Sequence, residues 1–406
     1  MIITEELALN GGTPVRTGHW APWPYFESDE IDAVTSVLSS GKVNYWTGDE
    51  VKLFEAEYAA YLGVEHTIAL ANGTVALELA LKTLNIGPGD HVIVPSKTFI
   101  ATASAVVAMG AIPIVADIDL VTQNVTSATL SAAITPQTKA VICVHLAGVS
   151  CDMDDLLAFT RHHNLHLIED CAQAHGGRYK GKALGSFGII SAFSFCQDKI
   201  MTTGGEGGLI ALNDTTLYKL AWSIKDHGKG YDRVYNSTHG PGFRWLHDRF
   251  GTNWRLTEMQ AAIGRKQLGK LDTWVAARNA NEAAYRQALL PFSRAISVTP
   301  SSPDWEGAAY KFYFFVNPNA LAADWSRDQI IAALNAEGIP TFGGSCSEIY
   351  LEKAFDQFSP IGPLPNAQVL SQTSVMLTVH PTLTPQHISD ACNALSKVLS
   401  VAVKPR

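Results

Sequence analysis

Between residues 67 and 169, short apolar and β-branched runs alternate with helical stretches, and this alternation limits the possible folds more than any other feature of the chain. The runs fall at residues 67–70, 91–95, 112–116, 140–145 and 166–169, and the helical patterns between them cover 74–84, 98–109, 127–134 and 153–163. Strands joined by helices pair in parallel, because returning to the same edge of a sheet requires a crossover. Helices then cover both faces of the sheet. The expectation is an α/β domain with a mostly parallel sheet between helices. In such sheets ligands bind beyond the carboxyl ends of the strands, so the residues just after each run are the ones to inspect.

The first strand end reads Ala71-Asn72-Gly73-Thr74, directly before a helix. Gly73 allows close backbone approach, and the helix start offers free N–H groups and a hydroxyl. This is either a phosphate cradle or an ordinary capped helix. The second, Pro95 to Phe99, places an aromatic ring to stack on a flat ligand or to fill the core. The fifth, at 166–169, ends in Glu169-Asp170, with Gln173 three residues on. A buried Asp170 would keep a ring nitrogen protonated; the alternative is two exposed acids. Cys171 and His175 lack a second spaced His/Cys pair, so no metal site is expected. A further β-favouring run, 189–195, leads to Lys199 among small and apolar residues, followed by Gly204, Gly205, Gly207 and Gly208. A lysine held at a strand end by a glycine-rich return suits Schiff-base chemistry; the alternative is a surface lysine beside a turn.

At 406 residues the chain exceeds one small core, and 47% apolar against 17% charged residues excludes disorder. A net charge of -8 without a basic run argues against nucleic acid as partner. No signal peptide and no 18-residue apolar window is evident, and the six scattered cysteines read as reduced thiols in a cytoplasmic protein with no membrane partner. The domains read as an arm at 1–27 carrying Trp20, Trp23 and Tyr25, a large domain at 28–270, and a smaller α+β domain at 271–406. Within the last, 310–316 is strand-like, and 327–337 and 386–398 are helical. Residues 213–250 read as irregular.

Phosphate cradle, ring stacker, strand-end Asp and glycine-flanked Lys, in this order, are the parts of a pyridoxal 5'-phosphate site. The segments GDEVKLFEAEYAAYLG, ALANGTVALELAL, IGPGDHVIVPSKTFIATASAV, GAIPIVADID, IEDCAQAHGGRYKGKALGSFG, FSFCQDKIMTTGGEGG and NWRLTEMQAAIGRKQL resemble the DegT/DnrJ/EryC1/StrS family of sugar aminotransferases, of fold type I. The resemblance covers most of residues 20–270 and more loosely the rest. It implies a seven-stranded-type sheet in the large domain. Lys199 would form the covalent link to the cofactor and move the proton, and Asp170 would pair with the ring nitrogen. Gln173 would bond the phenolic oxygen, Gly73, Thr74 and Ser194 the phosphate, and Phe99 would stack on the ring. Asn253 would reach the phosphate of a second subunit, which implies a homodimer with shared sites.

The activity implied is transfer of an amino group from L-glutamate to a nucleotide-linked keto-deoxysugar for surface polysaccharide. Segments 41–48 and 343–355 point to a UDP-linked 4-keto-6-deoxyhexose with a 2-acetamido group. Lys42, Lys229, Arg233 and Arg249 are candidates for its diphosphate, and Trp46 and Tyr231 for its base or sugar face. A cyclitol or secondary-metabolite aminotransferase is an alternative, as is a non-catalytic sensor of the cofactor. The related dehydratases carry histidine where this chain has Lys199. Two departures stand out: the extra glycine in Gly204-Gly205-Glu206, and the 343–355 segment, which replaces a more common stretch.

Overall fold

The computed structural model describes residues 6–358 and 362–404; residues 1–5 of the expected arm lie outside them. Seven strands form the central sheet: β1 (His66–Leu70), β2 (His91–Pro95), β3 (Ile112–Ala116), β4 (Thr138–Val144), β5 (His166–Asp170), β6 (Ile190–Ser194) and β7 (Gly208–Leu212). Their order is β1-β7-β6-β5-β4-β2-β3. All pairings are parallel except the two made by β7, with β1 and with β6. The exception follows from connectivity: β6 and β7 are joined by the glycine-rich return rather than by a crossover helix, so the chain comes back antiparallel.

A second sheet is built from β8 (Ile296–Val298), β9 (Lys311–Val316), β10 (Thr341–Phe342) and β11 (Ser374–Thr378), all antiparallel. Its side-chain period explains its position. Phe312, Phe314 and Val316 enter a small core with the helices Arg327–Ala336 and Pro385–Ala402. Tyr313 and Phe315, on the other face of the pleat, join the core of the large sheet. The helix Leu271–Leu289 spans the two cores, with Leu271 in the first and Tyr285 and Leu289 in the second.

Two expectations change. Residues 213–250 are not all irregular: Thr215–Lys225 is an α-helix started by Asp214, whose carboxylate accepts from the N–H groups of Thr216 and Leu217, and Tyr231–Tyr235 is a further short one. The pattern at 98–109 becomes a helix only at Ala101–Ala108, because Ser96 to Ile100 form the loop over the strand end. The two tryptophans of the arm pack on their own chain, while Tyr25 is exposed: Trp20 Nε1 donates to Thr378 Oγ1, and Trp23 meets Trp274 edge to face at 5.2 Å. Among the described residues no helix is long and apolar enough to cross a membrane.

Candidate active site

A cavity of about 820 Å³ opens beyond the carboxyl ends of β1, β2, β4, β5 and β6. Gly73, Thr74, Phe99, Asp170, Gln173, Ser194 and Lys199 all line it. Asn253, the eighth expected residue, does not; its side chain is exposed.

The cradle at 72–74 is enforced by packing. Asn72 Oδ1 accepts from Val75 N–H and starts the helix Gly73–Thr83. A Cβ on Gly73 would stand 2.6 Å from Ser194 Cβ, and one on Gly208 would stand 2.1 Å from the Asn72 carbonyl oxygen. Only hydrogen at both positions lets the helix start, Ser194 and the return strand close together. Gly208→Ala is therefore expected to push the 72–74 turn outward at a cost of roughly 1–3 kcal/mol and to weaken retention of a phosphate-bearing ligand. Denaturant midpoint and ligand titration test this; wild-type values for both would remove the close approach from the account.

Ser194 has support that the sequence did not disclose. Buried His175 donates from Nε2 to the Ser194 carbonyl and accepts the Tyr58 hydroxyl at Nδ1, 2.7 Å away. Burial lowers the His175 pKa to about 3, so the ring is neutral and keeps this orientation. The carboxylate pair at the end of β5 divides by the strand period. Glu169 faces away, where its oxygens accept from the Gly185, Phe187 and Gly188 N–H groups and from His145 Nε2. His145, Glu169 and Cys171 do converge, with their ligand atoms within 4.8 Å of one another, but the glutamate oxygens are already engaged.

Asp170 is 5% exposed and faces the cavity. Its oxygens accept from Ala172 N–H at 3.1 Å and Thr102 Oγ1 at 3.0 Å. No cation of the described residues forms an ion pair with it, and burial raises its pKa despite these hydrogen bonds and the charge of Lys199. A buried carboxylate without a counter-ion suits a ligand that brings a cationic nitrogen. Gln173 Oε1 accepts from Ala147 N–H at 2.7 Å, which fixes the amide plane against the cavity wall. Phe99 is 70% exposed, an apolar ring at the mouth without cover.

Lys199 is not the isolated amine of the sequence reading. Its Nζ lies 3.8 Å from Asp198 Oδ1 and 5.1 Å from the centre of the Tyr310 ring. Its own carbonyl accepts from Trp23 Nε1 at 2.8 Å, so the arm buttresses the lysine. Gly204 and Gly205 have φ of 85° and 119°, a conformation that glycine alone adopts without strain. Thr202 and Thr203 tie the return down through bonds to the Phe195 and Glu206 carbonyls. Lys311, Tyr313 and Met376, from the second sheet, and Tyr310, just before it, also line the cavity and were not anticipated as site residues.

The residues proposed for a diphosphate do not gather here. Lys229 pairs with Asp226 and stacks on Trp46 at 4.0 Å, and Arg233 pairs with Asp248. None of Lys42, Lys229, Arg233 or Arg249 lines the cavity that holds Lys199.

Residues 24–396 match the profile described as the DegT/DnrJ/EryC1/StrS aminotransferase family. The GDP-perosamine synthase of Caulobacter vibrioides is 40% identical over 316 residues, 78% of this chain and 81% of that protein. The dTDP-3-amino-3,4,6-trideoxy-alpha-D-glucose transaminase of Streptomyces venezuelae is 35% identical, over 86% and 87% of the two chains. The L-glutamine:2-deoxy-scyllo-inosose aminotransferase of Streptoalloteichus tenebrarius is 36% identical, over 82% and 80%. In structure, an aminotransferase from Psychrobacter cryohalolentis superposes with a TM-score of 0.93 at 49% identity, covering 94% of this chain and 99% of that one.

Proposed function

The chain belongs to the DegT/DnrJ/EryC1/StrS aminotransferase family, and from that premise we propose that it binds pyridoxal 5'-phosphate and moves the amino group of L-glutamate onto a nucleotide-linked keto-deoxysugar. The observation that carries this reading is the convergence of seven expected residues, from four separate strand ends and the Lys199 loop, on one cavity. The cofactor, when bound, supplies an electron sink and a carrier for the amino group. The chain's own residues divide the remaining work. Gly73, Thr74 and Ser194 hold the phosphate at the helix start. Asp170 would keep the proton on the ring nitrogen, Gln173 would donate to the phenolic oxygen, and Phe99 would cover the ring. Lys199 would hold the cofactor covalently, and its amine would move the proton of the donor α-carbon.

We place the protein in the cytoplasm, a reading supported by the six unpaired cysteines. The division at about residue 270 serves the same reading, since the cavity has walls from both sheets.

The acceptor we expect is a UDP-linked 4-keto-6-deoxyhexose with a 2-acetamido group. A free cyclitol ketone is the second reading, favoured by the similarity to the scyllo-inosose enzyme. The test compares kcat/KM for UDP-, dTDP- and GDP-linked 4-keto sugars and a cyclitol ketone, with L-glutamate as donor and product mass as readout. Preference for the free ketone overturns the nucleotide-sugar assignment and leaves the aminotransferase standing.

A homodimer with shared sites belongs to the same proposal. Asn253 is exposed and does not line its own cavity, and Phe243, Trp245 and Phe250 on the preceding loop are exposed, an apolar surface that a second copy would cover. The loop cations Lys229, Arg233 and Arg249 would then serve the partner's cavity. Mixing Lys199→Ala with Asn253→Ala protomers is expected to restore activity in the mixed dimer. Proven subunit exchange without recovery would refute a shared site.

A further inference from the structure

Lys311 opens β9, and the period of that strand turns it toward the cavity together with Tyr313. Its amine and that of Lys199 share two neighbours. Asp198 Oδ1 lies 3.8 Å from Lys199 Nζ, and Oδ2 lies 4.0 Å from Lys311 Nζ. The two amines stand 5.1 and 4.9 Å from the centre of the same Tyr310 ring. The Tyr310 hydroxyl donates to Asp198 Oδ2, so the carboxylate is spread over three neighbours.

Behind this group lies Arg278, 1% exposed. Its Nη1 donates to the Tyr310 carbonyl at 3.3 Å, while Nε and Nη2 have no partner. The cluster thus holds three cations, Lys199, Lys311 and Arg278, against one carboxylate, Asp198. Asp170 does not balance the account once a ligand cation occupies it. The Lys311 amine makes no hydrogen bond, and burial together with Arg278 and Lys199 lowers its pKa more than Asp198 restores. A half-buried ammonium in a surplus of positive charge is costly until an anion arrives.

The donor in the proposed reaction brings that anion. Its nitrogen must reach the position that Lys199 Nζ serves at rest. Its α-carboxylate is then held one carbon away, whatever the side chain. Glutamate's distal carboxylate is not fixed in this way. We propose that Lys311 binds the α-carboxylate of the amino donor and so selects α-amino acids over other amines. The proposal rests on the aminotransferase reading given above.

The experiment uses the full-length protein loaded with pyridoxal 5'-phosphate. The concentration of L-glutamate that half-saturates the absorbance change of the cofactor is compared for wild type, Lys311→Met, Lys311→Gln and Lys311→Arg. The same titration is run with L-alanine, which has no side-chain carboxylate, as donor or as competitor. A hydrogen bond to a charged group contributes about 1.5–3 kcal/mol, so both neutral variants are expected to need roughly 10- to 100-fold more of either amino acid. Arginine is expected to recover most of the loss. Resting cofactor absorbance stays at the wild-type value, and the thermal midpoint does not fall.

Unchanged half-saturation in the neutral variants overturns the proposal. So does a loss confined to glutamate, which would place the distal carboxylate there instead. A parallel fall in cofactor occupancy also overturns it, as it would reduce Lys311 to a support for Asp198. If the wild type responds to no amino acid, the aminotransferase reading fails, an outcome distinct from these.

Discussion

Lys199→Ala is expected to lose both turnover and the visible absorbance of a covalently held cofactor, while the protein stays folded. The fold does not depend on the side chain. The backbone of residue 199 keeps its bonds to the Cys196 carbonyl and to Trp23 Nε1, and Asp198 retains Lys311 and Tyr310 as neighbours. What disappears is the amine that the proposed mechanism uses both to hold the cofactor and to move the substrate proton. Positioned proton transfer alone is worth about 10²–10⁴-fold, so a loss of at least ~10²-fold is expected before the covalent role is counted. Absorbance spectra, steady-state rates and thermal midpoint measured together make the test specific. Full activity without added amine would remove Lys199 from the mechanism.

Asp170→Asn should slow the reaction by at least ~10-fold, because a neutral side chain no longer favours the protonated ring. An opposite charge at contact commonly shifts a pKa by about 1–3 units, and each unit corresponds to about 1.36 kcal/mol. The same substitution should leave the cofactor-free protein no less stable than wild type. Burial raises the folded-state pKa of Asp170, so this group favours the folded state when protonated and counts against it when ionised. Its contribution to stability therefore falls as pH rises from the unfolded-state carboxylate pKa through the raised folded-state one. Asparagine carries no such charge and can still accept from Ala172 N–H. Denaturation of the cofactor-free proteins at pH 5 and pH 7 measures this. A rate equal to wild type would exclude Asp170 from the chemistry, and a destabilised, cofactor-free Asp170→Asn would show that the carboxylate is structural.

The two predictions draw on different sources of information. Lys199 and Asp170 were both legible in the chain, since each sits where a local signal marks an end: apolar runs stop at Cys196 and at Glu169, and glycines or a small residue follow. The helix Thr215–Lys225 was missed because Lys219 and Lys225 interrupt its apolar stripe. Its burial is decided by Ala221, Trp222 and Ile224 packing on the sheet, and the one local clue was the Asp214 cap. Phe99 was expected to stack or to fill the core; its 70% exposure at the cavity mouth removes the second option for this chain.

Composition, periodicity and the residues after each strand were enough to point to the parallel sheet and to six residues that line the cavity, Gly73, Thr74, Phe99, Asp170, Gln173 and Lys199, while Ser194 entered through the family resemblance. These properties are local: a cap, a glycine or an apolar run acts within a turn or a strand of its own position. Tertiary packing alone decided what surrounds those groups. Trp23 braces Lys199 from 176 positions away, Tyr310 reaches Asp198 across 112, and His175 supports Ser194 across 19. Asn253 was placed outside the cavity of its own chain by the same packing. Such contacts depend on how two sheets and an arm settle on one another, and no periodicity within a single segment encodes that arrangement.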